Sequence, residues 1–160
     1  MKAFNRMLNV ATMHIASRLF PCGFDVTADL LEAPDTLARL NAHIAETGRM
    51  LVWSGASRAT IFGDEQVNWA FRAWHDFHHW KGQHDFTLRG ELATAQAQQA
   101  DLAAVYGAGP HTEAMQALVA AEVHGQTLYA HYHDGNPPTN QRAFTLHYMV
   151  NPLAAVVSDF

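Results

Sequence analysis

Apolar positions recur along most of this chain at helical spacing, and the periodic stretches are separated by clusters of Gly, Pro, Asn and Asp. Phe4, Leu8, Ala11, Ile15 and Leu19 fall on one stripe and predict a first helix, closed by Pro21-Cys22-Gly23. Ala33-Pro34-Asp35 opens a second helix, with Asp35 as its N-cap and Leu37, Leu40 and Ile44 as its stripe; Gly48 weakens its end. Between Leu51 and Gly63, two short β-compatible runs flank Ser54-Gly55, which predicts a small hairpin over 51–62. Asp64 caps a helix from Glu65 to about Trp80, ended by Gly82. Another runs from about Phe86 to Tyr106 and stops at Gly107-Ala108-Gly109-Pro110. A further helix starts near Thr112 and continues to about His133, where Asp134-Gly135-Asn136-Pro137-Pro138 breaks it. The apolar tail from Gln141 to Phe160 is split by Pro152 and can pack internally or meet a partner. With no internal repeat, low-complexity tract or Ser/Gly linker, residues 1–160 read as a single domain. Its fold class is mainly α, a bundle of about five helices.

Composition sharpens this picture by exclusion. At 49% hydrophobic and 16% charged over 160 residues, the chain can bury a real core. Its net charge is −5 and its ten Lys and Arg form no cluster, which argues against a duplex nucleic acid as partner. The single cysteine, Cys22, cannot pair within the chain, and without a CxxC there is no thiolate zinc finger. No apolar run reaches a bilayer's width, and Asn9, His14 and Arg18 interrupt the N-terminal stretch, so no signal-peptide core exists. A cytoplasmic protein is the expectation. What stands out is histidine: eleven residues, more than Lys and Arg together.

Several of these histidines occupy a polar stripe on an otherwise apolar helix. At about 100° per residue, Asn68, Arg72, His75, Asp76 and His79 share one side of the helix from Glu65, while Val67, Ala70, Phe71, Trp74, Phe77 and His78 fill the other. The stripe carries no Lys or Glu, which a solvated face usually has. His75 and His79 stand at i,i+4 and can reach one point, as metal ligands do. On the next helix Glu91 is centred among Leu88, Ala95, Gln98 and Leu102; on the one after, Glu122 is centred among Met115, Leu118, Val119, Gln126 and Tyr129. A carboxylate on a face destined for burial needs a partner, a proton or a metal. The alternative for each is a core carboxylate satisfied by Arg72, Arg89 or a tyrosine hydroxyl, and His78 reads as a satisfied core histidine.

Imidazole nitrogen plus carboxylate oxygen suits a divalent transition metal, Zn, Fe or Mn, with a coordination position left over. Read as an HDxxH relative of the HExxH motif, His75 and His79 hold the metal, Glu91 or Glu122 is a further ligand, and Asp76 is the general base. The His75-Asp76 doublet also fits HD-type phosphohydrolases, with His43 and Asp101 or Asp134 completing the set. A ferritin-like di-metal site needs Glu-x-x-His, but Thr94 and Gly125 stand three residues beyond the two glutamates. No GxSxG, GxGxxG or P-loop is present, so a nucleophile elbow and those nucleotide sites are unsupported.

The segments Thr60-Ile-Phe-Gly-Asp64, Asn68 to Asp76, Gly90-Glu91, Gly125-Gln126 and Gln141-Arg-Ala-Phe144 resemble those of small bacteriophage-type proteins of uncharacterised function. The resemblance covers the central half to two-thirds of the chain and implies a phage or prophage setting, in the host cell or with the virion, without implying an activity. From the residues themselves, the leading expectation is metal-dependent hydrolysis of a small-molecule substrate. His75, His79 and Glu91 are the first-choice ligands, Glu122 is a fourth ligand or base, Asp76 is an outer-shell group or base, and Arg72 stabilises an anionic transition state. The rival expectation is a non-enzymatic structural or interaction protein whose polar core fixes helix register.

Overall fold

A computed structural model describes residues 2–160, with side chains from Arg6 onward. The Phe4 side chain, first on the predicted stripe, lies outside that description. Helix α1 (Lys2–Leu19) is followed by strand β1 (Asp25–Thr27), helix α2 (Leu37–Thr47) and strand β2 (Leu51–Trp53). The long helices α3 (Glu65–Gly82) and α4 (Leu88–Tyr106) come next. Then α5 (Pro110–Ala120), a π turn (Ala121–Gly125) and α6 (Gln126–Tyr132) run on as one rod, before α7 (Gln141–Tyr148) and α8 (Pro152–Val157). The fold is mainly α, as the periodicity predicts, with seven helices when the rod counts as one.

Local chemistry sets the ends. The Asp64 side chain accepts from Gln66 N and Val67 N, and Thr87 accepts from Gly90 N, so both site-bearing helices start on a satisfied cap. At α2 the cap is Thr36 rather than Asp35; Asp35 instead pairs with Arg39 at 2.7 Å, one turn along. Pro110 and Pro152 sit in the first turns of their helices, where a missing N–H costs nothing.

The predicted hairpin is not formed. β2 pairs in parallel with β1, Val26 opposite Val52, with α2 as the crossover, and the run from Thr60 to Gly63 is not a strand. The reason lies in competing bonds. Arg72 Nη1 donates to the carbonyls of Trp53 and Gly55 at 2.5 and 2.7 Å, and Trp69 Nε1 donates to that of Ser54 at 3.2 Å. Ile61 and Phe62, meanwhile, are buried in the main core rather than across from β2.

That core lies where α1, α3, α4 and α5 meet, around Leu8, Ile15, Phe71, Trp74, Leu102 and Leu118. Trp74 is fully buried, and its indole N–H donates to Asp101 Oδ2 at 2.8 Å; His78 Nε2 meets the same oxygen at 2.7 Å. His78 is thus a satisfied core histidine. The tail packs internally in part: Ala155 is buried with Phe144 and Tyr129 and the Phe160 N–H donates to the Tyr129 hydroxyl at 3.1 Å, while Val150, Leu153 and Val157 are exposed. Among the described residues no helix is long and apolar enough to cross a membrane.

Candidate metal centre

Helices α3 and α4 run antiparallel across a short turn, which brings the last part of one against the first turn of the other. The i,i+4 spacing then sets His75 and His79 side by side, facing Glu91. His75 Nε2 lies 2.9 Å from His79 Nε2 and 3.1 Å from Glu91 Oε2, and His79 Nε2 lies 3.4 Å from Glu91 Oε1. Ligand atoms at about 2.0–2.1 Å in a tetrahedral site are separated by about 3.3 Å, and the separations here, counted to one or the other Glu91 oxygen, lie close to that.

The far side of each ring decides what its near side offers. His79 Nδ1 donates to the His84 carbonyl at 2.9 Å, and His75 Nδ1 donates to Gln98 Oε1 at 3.1 Å. When both rings are neutral their protons sit on Nδ1 and both Nε2 lone pairs point at the same space; a ring that takes up a second proton donates it from Nε2 to Glu91. Two lone pairs so close repel unless a proton or a cation lies between them. Bonding the distal ring nitrogen to an oxygen is also how metal-ligating histidines are fixed in orientation and tautomer. Phe86 stacks on His79 with ring centroids 4.2 Å apart and planes 5° from parallel, and His79 is wholly buried.

Electrostatics follow from this packing. Burial opposes ionisation of Glu91, but hydrogen bonds from His75 and His79 more than offset it and hold the carboxyl at about 2. Burial likewise disfavours a charge on His75, and Glu91 overrides it, raising the imidazole. Glu91 also lies in the first turn of α4, where the helix dipole favours an anion.

Each remaining sequence-derived residue has a definite place. Glu122 and Arg72 line the same cavity as His75 and Glu91, a space of about 330 Å³ also bordered by Asn68, Gln126 and Gln141. The Glu122 carboxylate accepts from Thr145 Oγ1 at 2.9 Å and is not one of the three groups that converge on a single point. Burial pushes it up to about 7, against the lowering effect of Thr145, Gln126 and Arg72. Asp76 is separated from this cavity: the 100° step from His75 carries it to the flank facing Trp53, Leu30 and Leu31, in a different cavity. Burial raises Asp76 to about 6, opposed by the charges of His75, His79 and Arg72. Asp76 thus does not line the cavity beside His75 and Glu91, although its charge still acts on His75, His79 and Glu91.

Two contributors carry no motif. Gln98, fully buried, supports His75, while its own amide nitrogen makes no hydrogen bond among the described residues. Its signal was its place on the Glu91 face. The π turn carrying Glu122 has no sequence signature; such turns are frequent at functional sites. It is accommodated where Gly125 lies against Phe144 and Tyr148, which an added Cβ would approach to 3.2 and 3.1 Å, and Thr127 Oγ1 takes the Val123 carbonyl at 2.8 Å.

Gly90 gives a first test of the architecture. A Cβ there would stand 1.8 Å from the Asp85 carbonyl oxygen, inside the turn that also presents the His84 carbonyl to His79. Inside a helix, Gly→Ala ordinarily stabilises by about 1 kcal/mol. Gly90→Ala is expected to reverse that sign, costing about 1–3 kcal/mol in urea unfolding and weakening metal uptake through His79. A stabilised variant would show that the turn is not rigidly held.

Comparison of the chain with family models, with curated proteins and with solved structures gives no match in any of the three. The reading of this centre rests on its own geometry.

Proposed function

We propose that this protein binds a divalent transition metal, zinc, iron or manganese, through His75 Nε2, His79 Nε2 and the Glu91 carboxylate, and uses it for hydrolysis of a small molecule in the adjoining cavity. The observation that carries the reading is the convergence of two Nε2 atoms, 2.9 Å apart and each fixed from behind through Nδ1, on one carboxylate. Two imidazoles and one carboxylate leave at least one coordination position free, and such a donor set supplies Lewis acidity and an activated water when the ion is bound. Glu122 borders the same cavity and, held near neutrality by burial, serves as the acid–base group in place of Asp76. Gln98 and the His84 carbonyl orient the two rings.

Elemental mass spectrometry of the purified, untagged protein tests this directly. Near one equivalent of metal is expected in the native chain, falling to background in a His75→Ala/His79→Ala variant that keeps its helical circular dichroism. Absence of metal from the native protein, with none taken up on addition of zinc, iron(II) or manganese, would overturn the reading. The triad would then be a hydrogen-bonded polar core that fixes the register of α3 against α4.

A further inference from the structure

The cavity beside the three ligands has a charge balance of its own, and Arg72 dominates it. The guanidinium is part-buried and its Nη1 is committed to the Trp53 and Gly55 carbonyls. Its Nε and Nη2 make no hydrogen bond, and no carboxylate stands within ion-pair distance of it, among the described residues; the charges of Asp76 and Glu122 favour it from further away. Its flank covers the Trp53 ring, with Cζ 5.5 Å from the centroid. A cation taken out of water without a counterion is costly, and the two backbone carbonyls offset only part of that cost. Arg72 nevertheless lines the space that His75 and Glu91 border.

Neutral imidazoles from His75 and His79, with the Glu91 carboxylate, leave a bound divalent ion with one net positive charge. Arg72 adds a second, and Glu122 cancels at most one of the two. The groups that line the loaded cavity therefore sum to a positive charge whichever form Glu122 takes, and Asp76, on the neighbouring flank of α3, offsets part of it from outside. The cavity's neutral lining adds the side-chain amides of Gln126 and Gln141, which can donate. A free coordination position, a guanidinium that has donors to spare and no ion-paired carboxylate, and two amides together describe a receptor for an oxyanion.

We infer that the cavity takes the anionic oxygens of its substrate, a phosphate or carboxylate group, between the metal and the free edge of Arg72. The inference rests on the metal reading above and names the substrate class for that same site. Charge-assisted hydrogen bonds from Nε and Nη2 and a metal contact would share the anion. Its negative charge would supply the direct ion pair that Arg72 does not make with Asp76 or Glu122.

The test titrates zinc-loaded, full-length protein with inorganic phosphate and, separately, with acetate at constant ionic strength, following heat and measuring metal content on the same sample. Saturable binding of at least one anion is expected; whichever binds more tightly assigns the phosphoryl or carboxylate class. Arg72→Gln should weaken that binding at least tenfold at unchanged metal content, and Arg72→Lys, which keeps the charge but not the fork, should recover only part of the loss. Because Arg72 also tethers the loop after β2, a second readout needs no destabilised variant. The ¹⁵N–¹H resonance of the Arg72 Nε, identified by its loss in Arg72→Lys, should shift on adding the anion to the native protein. Full metal content with no anion binding, equal binding by Arg72→Gln, or an unmoved Nε resonance would each overturn the oxyanion proposal alone. Failure to load metal would overturn the metal reading beneath it.

Discussion

Chelation of the metal-loaded protein is expected to lower its melting temperature by about 10 °C. An ion that binds only the folded chain stabilises it by about 4 kcal/mol at a free concentration a thousand times its Kd. For a domain of this size each kcal/mol moves Tm by about 2–4 °C. The structure makes the effect larger than removal of a surface ion would be. Without the cation, the two Nε2 atoms 2.9 Å apart must share a proton, in a site where His79 has no exposure to water. Differential scanning calorimetry with and without EDTA, followed by re-addition of zinc, iron(II) or manganese, measures the shift and its reversal. His75→Ala/His79→Ala should melt at one temperature in all these conditions. If the native protein did so too, metal would not be part of the folded state.

The second large effect concerns pH. Glu122 is raised by burial from an ordinary value of 4.5 to about 7, so the folded chain holds its proton more tightly than the unfolded chain does. The resulting stability is fully present below about pH 4.5 and is lost as pH rises through about 7. Between pH 5 and pH 8 the unfolding free energy of the metal-free protein should fall by about 2–3 kcal/mol from this group, at about 1.4 kcal/mol per pH unit. Glu122→Gln keeps the shape and leaves an oxygen for the Thr145 hydroxyl, but it has no proton to lose. That variant should flatten the profile and be the more stable protein at pH 8. Urea unfolding at pH 5, 6.5 and 8 measures both curves, and parallel slopes would show that Glu122 does not titrate in this window. Asp76 and His75 are raised as well and slope the same way, so it is the difference between the native and Glu122→Gln slopes that tests whether burial of Glu122 outweighs Thr145 and Arg72.

Much of the site was legible before the fold. His75 and His79 share a face by their spacing alone, and Glu91 stood out because a carboxylate interrupts an apolar stripe. Both signals are one-dimensional: they need a helix and its period, and the caps at Asp64 and Thr87 supply the helices. Asp76 shows where that logic runs out. On a wheel it neighbours His75 closely enough to look like part of the same stripe. One step of about 100° is nonetheless enough to carry a short side chain around the helix and into another cavity. Arg72 illustrates a related limit, since its reach to the Trp53 and Gly55 carbonyls depends on where the chain after β2 comes to lie.

By itself, the sequence determined the helical class, the punctuation of α3, α4 and the rod after Pro110, and which side chains of α3 and α4 would be polar within a buried seam. These are consequences of local propensity, capping and periodicity, which neighbouring residues settle among themselves. Only the tertiary structure decided that β2 pairs in parallel with β1 rather than folding back on the following loop. It alone selected Gln98 and the His84 carbonyl as the groups behind the two imidazoles, and it alone put a π turn under Glu122 where Gly125 meets α7. The physical reason is common to all three. Each depends on which backbone and side-chain donors find acceptors across the packed interior, a competition between groups far apart in the chain that no local pattern records.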